Sequence, residues 1–234
     1  MAAAIPTPSK GHAKYLSIEL TRFLRQIGRT SGVILQTDQE PAIKLIVRTV
    51  SQELGIPLRH SPVGSSQSQG SVERFHSTLY GQVRTLKRQL ERSYNIQLNG
   101  THPITTWLIR HAAWTISHFQ LLSDGHTAYQ RRWTKAYHSP LCTFGETVSW
   151  RETRKHTMKA QPMWHTGIWL GRDSESDEHM ICTDQGVLRT RCIRRNSPSE
   201  AHDEQLLQGM IGLPGRQKEK EMDNIHFLYY ILDL

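Results

Sequence analysis

The 234-residue chain has no run approaching the roughly 18 consecutive apolar residues that span a bilayer, and its first ten residues, MAAAIPTPSK, lack the apolar core of a secretory signal. These absences predict a soluble, intracellular protein with no membrane partner. Cysteine is scarce too: Cys142, Cys182 and Cys192 form no CxxC pair, which excludes a disulfide-stapled secreted scaffold and a cysteine-rich zinc knuckle. The 13 histidines are scattered without an HxxxH pattern, so no zinc site is expected. There is no GxSxG, no P-loop and no GxGxxG, so nothing supports a serine hydrolase, an NTPase or a dinucleotide enzyme. Carboxylates are outnumbered, 21 against 29 Lys and Arg, for a net charge of +8. That excess favours polyanionic partners such as nucleic acid.

What is present divides into a helical first part and a strand-like second part. Leu16, Leu20, Phe23, Leu24 and Ile27 repeat with the rhythm of an amphipathic helix, and Gly28 follows as a stop. Val33 to Leu35 favours a strand leading to Asp38. Pro41 then opens a helix with Ile43, Ile46, Val47, Val50 and Leu54 on its apolar face, ended by Gly55. Ile56 to His60 suits a second short strand, and Ser61 to Gly70 reads as a mobile polar loop. Val72, Phe75, Leu79, Val83, Leu86 and Leu90 predict a helix of about six turns. A further helix is expected over Pro103 to Phe119, a turn at Asp124-Gly125, and a short helix over Thr127 to Trp133. Beyond Pro140 the rhythm changes to short strands at Thr147 to Arg151, Gly167 to Gly171, Met180 to Thr183 and Val187 to Ile193, the pattern of a small β-barrel or sandwich. The remainder, from Pro198, reads as a tail with a final apolar run, His226 to Leu234.

Two carboxylates stand where they would meet. Asp38 follows a strand, and Glu73 sits in the first turns of the long helix. Oxygen ligands from a strand end and a helix start suit a hard divalent cation. On spacing alone, Asp38 capping the next helix and Glu73 complementing a helix dipole are the commoner roles. On its own face of the helix, Glu73 is followed by Ser77, Tyr80, Arg84, Lys87 and Arg88, so one carboxylate heads a basic ribbon. Arg74, Arg84, Lys87 and Arg88 on this helix are candidates for DNA phosphate contacts, though for any one of them a solvated charged face is at least as common a role. Arg189, Arg191, Arg194 and Arg195 form a second basic group, sharing the strand-rich part with Trp150, Trp164 and Trp169. Stacking plus charge suits nucleic acid, but such tryptophans more often fill a barrel core. His76, one turn from Glu73, is in reach of the same site, though packing or solvent is its commoner role.

Thr37-Asp-Gln-Glu-Pro-Ala-Ile43 and Gln67-Ser-Gln-Gly-Ser-Val-Glu73 resemble the second half of the catalytic core of retroviral and retrotransposon integrases, DDE enzymes on an RNase H-like fold. Thr127-Ala-Tyr-Gln130, Phe144-Gly-Glu-Thr-Val148, Gly167-Ile-Trp-Leu-Gly171 and Val187-Leu-Arg-Thr-Arg-Cys-Ile193 look like the SH3-like barrel that follows the core in copia-type Pol polyproteins. The resemblance spans roughly Lys10 to Arg195. It implies an α/β fold: a partial RNase H-like core without its first strands over 1–136, an SH3-like β module over 137–196 and a tail over 197–234. It also implies Asp38 and Glu73 as catalytic metal ligands for Mg2+ or Mn2+, DNA as partner, self-association as in integrases, and a nuclear location.

The chain departs from that pattern at one decisive place. The family places a first catalytic Asp on a strand upstream of the first helix, whereas the one acidic residue before Asp38 here is Glu19, inside that helix. The family's zinc-binding His/Cys module is also missing. Without the bridging Asp, the remaining pair is expected to hold one ion weakly and the two-ion mechanism to fail. The reading is thus an integrase-like nucleic-acid-binding protein whose ancestral reaction is metal-dependent DNA strand transfer. Its alternative is a catalytically inactive DNA-binding remnant, and a protein-interaction module built on the β part is a third.

Overall fold

The computed structural model describes residues 1–7, 13–37, 40–60, 70–152, 162–215 and 226–231, with the side chains of Ser71 and of 226–231 left aside. Helices and strands are mixed, and the chain divides into two units: residues 1–82, 112–137 and 223–234 form one, residues 83–111 and 138–222 the other. Among the described residues no helix is long and apolar enough to cross a membrane.

The first unit follows the predicted helix-strand-helix order. Helix α1 (Ala13–Gln26), strand β2 (Leu35–Thr37), helix α2 (Pro41–Leu54) and strand β3 (Leu58–His60) come in sequence, and β2 pairs with β3 in parallel. Leu16, Leu20 and Leu24 of α1 meet Ile46, Val47 and Val50 of α2, with Leu35 and Ile56 beside them, as the apolar spacing requires. Gly28 and Gly55, just past the two helices, take φ of 63° and 67°, the left-handed turn that stops a helix without a Cβ penalty.

One pairing was not expected. Residues Ala2–Thr7 form strand β1, paired antiparallel along its whole length with β9 (His226–Ile231), the apolar run at the far end of the chain. The amide of Ala2 donates to Ser117 Oγ at 2.9 Å, and that hydroxyl donates to the Ala2 carbonyl at 3.0 Å. Both backbone groups of Ala2 thus point away from β9, and strand alternation turns those of Ala4 and Pro6 the same way. Pro6, which has no N–H, therefore occupies the one edge where none is needed.

The second unit is a five-stranded antiparallel sheet packed on helices. Its strands are β4 (Thr147–Arg151), β5 (Trp164–Arg172), β6 (His179–Thr183), β7 (Gly186–Thr190) and β8 (Ile193–Arg195), in the order β7-β6-β5-β4-β8. The predicted strand Val187 to Ile193 is thus two strands. Thr190 Oγ1 donates to the Arg151 carbonyl and the Arg151 amide to the Cys192 carbonyl, so the chain steps off β7 onto β4 within two residues. In a flat sheet the edges β7 and β8 would lie about 19 Å apart, four strand spacings. Three Cα steps reach about 11 Å at most, so the sheet is strongly curled.

One face of this sheet, with Ile168, Leu170, Met180 and Cys182, packs on Leu90, Ile104, Trp107 and Leu108 from helices α3 (Gly70–Tyr94) and α4 (Pro103–Phe119). The other gathers Val148, Trp169 and Ile181. Gly167 is needed by proximity: a Cβ there would lie 2.3 Å from Ile181 Cγ2 and 2.8 Å from the Cys182 carbonyl. The segment read as a tail is built in as far as Gly215: Leu207 of helix α6 (Glu204–Gln208) and Met210 are buried in the same core, and Trp107 Nε1 donates to the Gly212 carbonyl. Helix α5 (Ala128–Trp133) belongs to the first unit.

Candidate nucleic-acid interface

Helix α3 forms without a break over Gly70–Tyr94, because its apolar residues recur at helical spacing and no proline interrupts it. Glu73 lies in its first turn, exposed, a position the helix dipole favours for an acid. Asp38 and the loop 61–69 lie outside the described residues. The N-cap position of α2 is Glu40, so the capping role considered for Asp38 falls two residues later, and no side-chain cap bond forms there. His76, half-buried one turn after Glu73, is held below the ordinary histidine range by burial, opposed by the charge of Glu73. Among the described residues, no group of three or more His, Cys, Asp or Glu is placed to hold a metal ion. Glu19 is on α1, where Arg22 binds its carboxylate.

The cations of α3 differ in their surroundings. Arg74, Arg84 and Arg88 are exposed, and no carboxylate partner is found for them among the described residues. Lys87 is half-buried, its ammonium 3.7 Å from Glu91 one turn on. Arg84 and Arg88 stand one turn apart, so their side chains point the same way.

The second basic group separates sharply. Arg189 binds Asp173 at 3.0 Å, Arg191 binds Glu178 at 3.1 Å, and Arg195 grips Glu146 through two nitrogens at 2.6 and 2.8 Å. Glu146 is buried, which pushes its carboxyl up, but Arg195 and the Thr143 amide draw it down further, so it titrates below the ordinary glutamate range. These three arginines are neutralised in place. Arg194 is different: its guanidinium carbon lies 4.0 Å from the centre of the Trp164 ring, and no carboxylate holds it among the described residues. The tryptophans separate likewise. Trp169 is core, fully buried, its Nε1 donating to His179 Nδ1 at 3.0 Å. Trp150 and Trp164 are half-buried; Trp150 packs against the Val148, Trp169 and Ile181 cluster, and its ring lies against that of His165 with centres 5.0 Å apart. The sequence contains all of these side chains, but only strand register reveals which arginine has an aromatic neighbour in place of an acid.

No protein-family model matches the sequence, and no curated protein matches it. Among solved structures, the chain is similar to part of the cryo-electron microscopy structure of the simian T-cell lymphotropic virus intasome in complex with the PP2A regulatory subunit B56 gamma. The identity is 16%, the TM-score 0.39, and the match covers 79% of this chain and 64% of that one. The chain thus spans less than two thirds of the length of the chain it matches.

Proposed function

We propose that the protein binds DNA and derives from the integrase region of a copia-type retroelement, with an RNase H-like first part and an SH3-like barrel in the second. The observation that carries the binding is the pair Arg84 and Arg88, exposed one turn apart and free of any carboxylate among the described residues. Two such cations, with Lys87 between them and a net charge of +8, make a phosphate-holding surface that fixes register without reading sequence. The two-residue step joining opposite sheet edges supports the barrel, since it requires a strongly curled sheet. The motif Gln67 to Glu73 supports the integrase ancestry, and a nuclear location follows from that ancestry.

For chemistry, the family's pattern would assign Mg2+ or Mn2+ to Asp38 and Glu73. The described residues do not complete such a site: Glu73 is a single exposed carboxylate, and a two-ion mechanism needs a bridging acid as well. Glu19, the acid preceding Asp38, is committed to Arg22 on α1. The second reading is a DNA-binding remnant without strand transfer, in which exposed Glu73 acts as an acid at a helix start.

Titration of the chain with a fluorescent 20-base-pair duplex tests the binding. Three phosphate contacts predict a log–log salt slope of about −3, and Arg84→Glu with Arg88→Glu lowers its magnitude by about two. Duplex affinity unchanged by the double variant would remove the proposal. Nicking of supercoiled DNA with Mn2+, abolished in Glu73→Ala, would reject the remnant reading; binding that persists in Asp38→Ala and Glu73→Ala without nicking by the parent supports it.

A further inference from the structure

We propose that the Trp164–Arg194 pair is a base-stacking site for single-stranded nucleic acid, separate from the phosphate-holding face of α3. The inference rests on the reading of the chain as a nucleic-acid binder and adds a site and a strand preference to it. Register places the site. Arg194 on β8 and Thr166 on β5 both pair with Ser149 on β4, while Trp164 pairs with Arg151. Residues directly opposite share a face, and so do residues two apart, so Arg194, Ser149, Thr166, Arg151 and Trp164 stand together on one side of the sheet. Arg151, Thr166 and Arg194 are exposed there, and Trp164 is half-buried.

The chemistry follows from what Arg194 lacks. Its neighbours in sequence, Arg191 and Arg195, spend their charge on Glu178 and Glu146. Arg194 instead rests on an indole ring at 4.0 Å, the distance of a cation–π stack, with no acid to draw it away among the described residues. A guanidinium resting on an indole extends the aromatic surface, and a flat base can add to it while Arg guanidinium N–H groups reach the phosphate. Arg151 adds a second cation and Thr166 a hydroxyl on the same face. Bases in a duplex bury their faces against one another, so a stacking site selects unpaired strands, whereas the cations of α3 serve either form.

The test uses the full chain, oligothymidylate of 20 nucleotides and a duplex of equal length, with anisotropy and intrinsic tryptophan quenching as readouts. Trp164→Ala and Arg194→Lys are expected to weaken oligothymidylate binding about tenfold or more and duplex binding less than twofold. Arg194→Lys keeps the charge and removes the planar stack; Trp164→Phe, which keeps a ring, is expected to retain most of the affinity and guards against a variant that fails to fold. Equal loss on both ligands, or an oligothymidylate affinity unchanged within twofold, overturns the stacking site while leaving the α3 reading intact. A parent chain that binds neither ligand at low salt overturns both.

Discussion

At the scale of single residues, two buried groups of the second unit contribute to how it answers to acid. His179 accepts the Trp169 indole hydrogen, and burial, with Arg172 nearby, holds its pKa down at about 4 against the ordinary 6.5, while Asp177 opposes. Its folded value lies below its unfolded one, so stability is full above about pH 6.5 and is lost as pH falls towards 4, because the unfolded chain takes up the proton first. The loss should approach about 3 kcal/mol, and a melting series over that range should flatten in His179→Gln. Glu146 acts lower: its depressed pKa gives stability above the ordinary glutamate value that is lost as pH falls through the folded one. Arg195→Met leaves the buried Glu146 carboxylate unpaired and should cost about 2–3 kcal/mol in urea unfolding, most of it recovered by adding Glu146→Gln. Neither group was legible as a pair in the sequence: Glu146 and Arg195 are 49 positions apart, and only the β4–β8 pairing joins them.

Whole elements show which physical signals a sequence carries and which it hides. Helices α1 to α4 were legible because their apolar faces repeat every three or four residues, and α5 because Thr127 and Gln130 form a capping box, each side chain bonding the other's backbone amide. Thr127→Ala should cost about 1 kcal/mol in thermal unfolding. Strand β1 was not legible, since Ala2 to Ala4 show no alternation and Pro6 argues against a strand until its place on the unpaired edge is known. Deleting 226–234 should strip hydrogen-exchange protection from Ala3, Ile5 and Thr7, whose amides face β9, and leave the β6 amides protected. Gly167→Val should be more severe than either change, costing on the order of 3 kcal/mol, because the Cys182 carbonyl and Ile181 have no room to retreat. For the candidate interface, the helix period put Arg84 and Arg88 on one face directly. The Trp164–Arg194 contact depended on register across three strands, which no local pattern encodes.

Across the whole molecule, charge is the property that sequence reports without loss, and its distribution is what folding decides. The +8 excess is unevenly spent: several arginines of the second unit are locked to acids, while those of α3 are left facing solvent. The late arrival of β8 beside β4 bears on the order of events in time. Strands β5, β6 and β7 meet their neighbours through short turns, but β4 gains its second partner only when Arg195 returns to Val148. A nascent chain can close the β5–β6–β7 meander early and must wait for β8 before β4 is enclosed, so the slow step of refolding should be the sealing of that last strand.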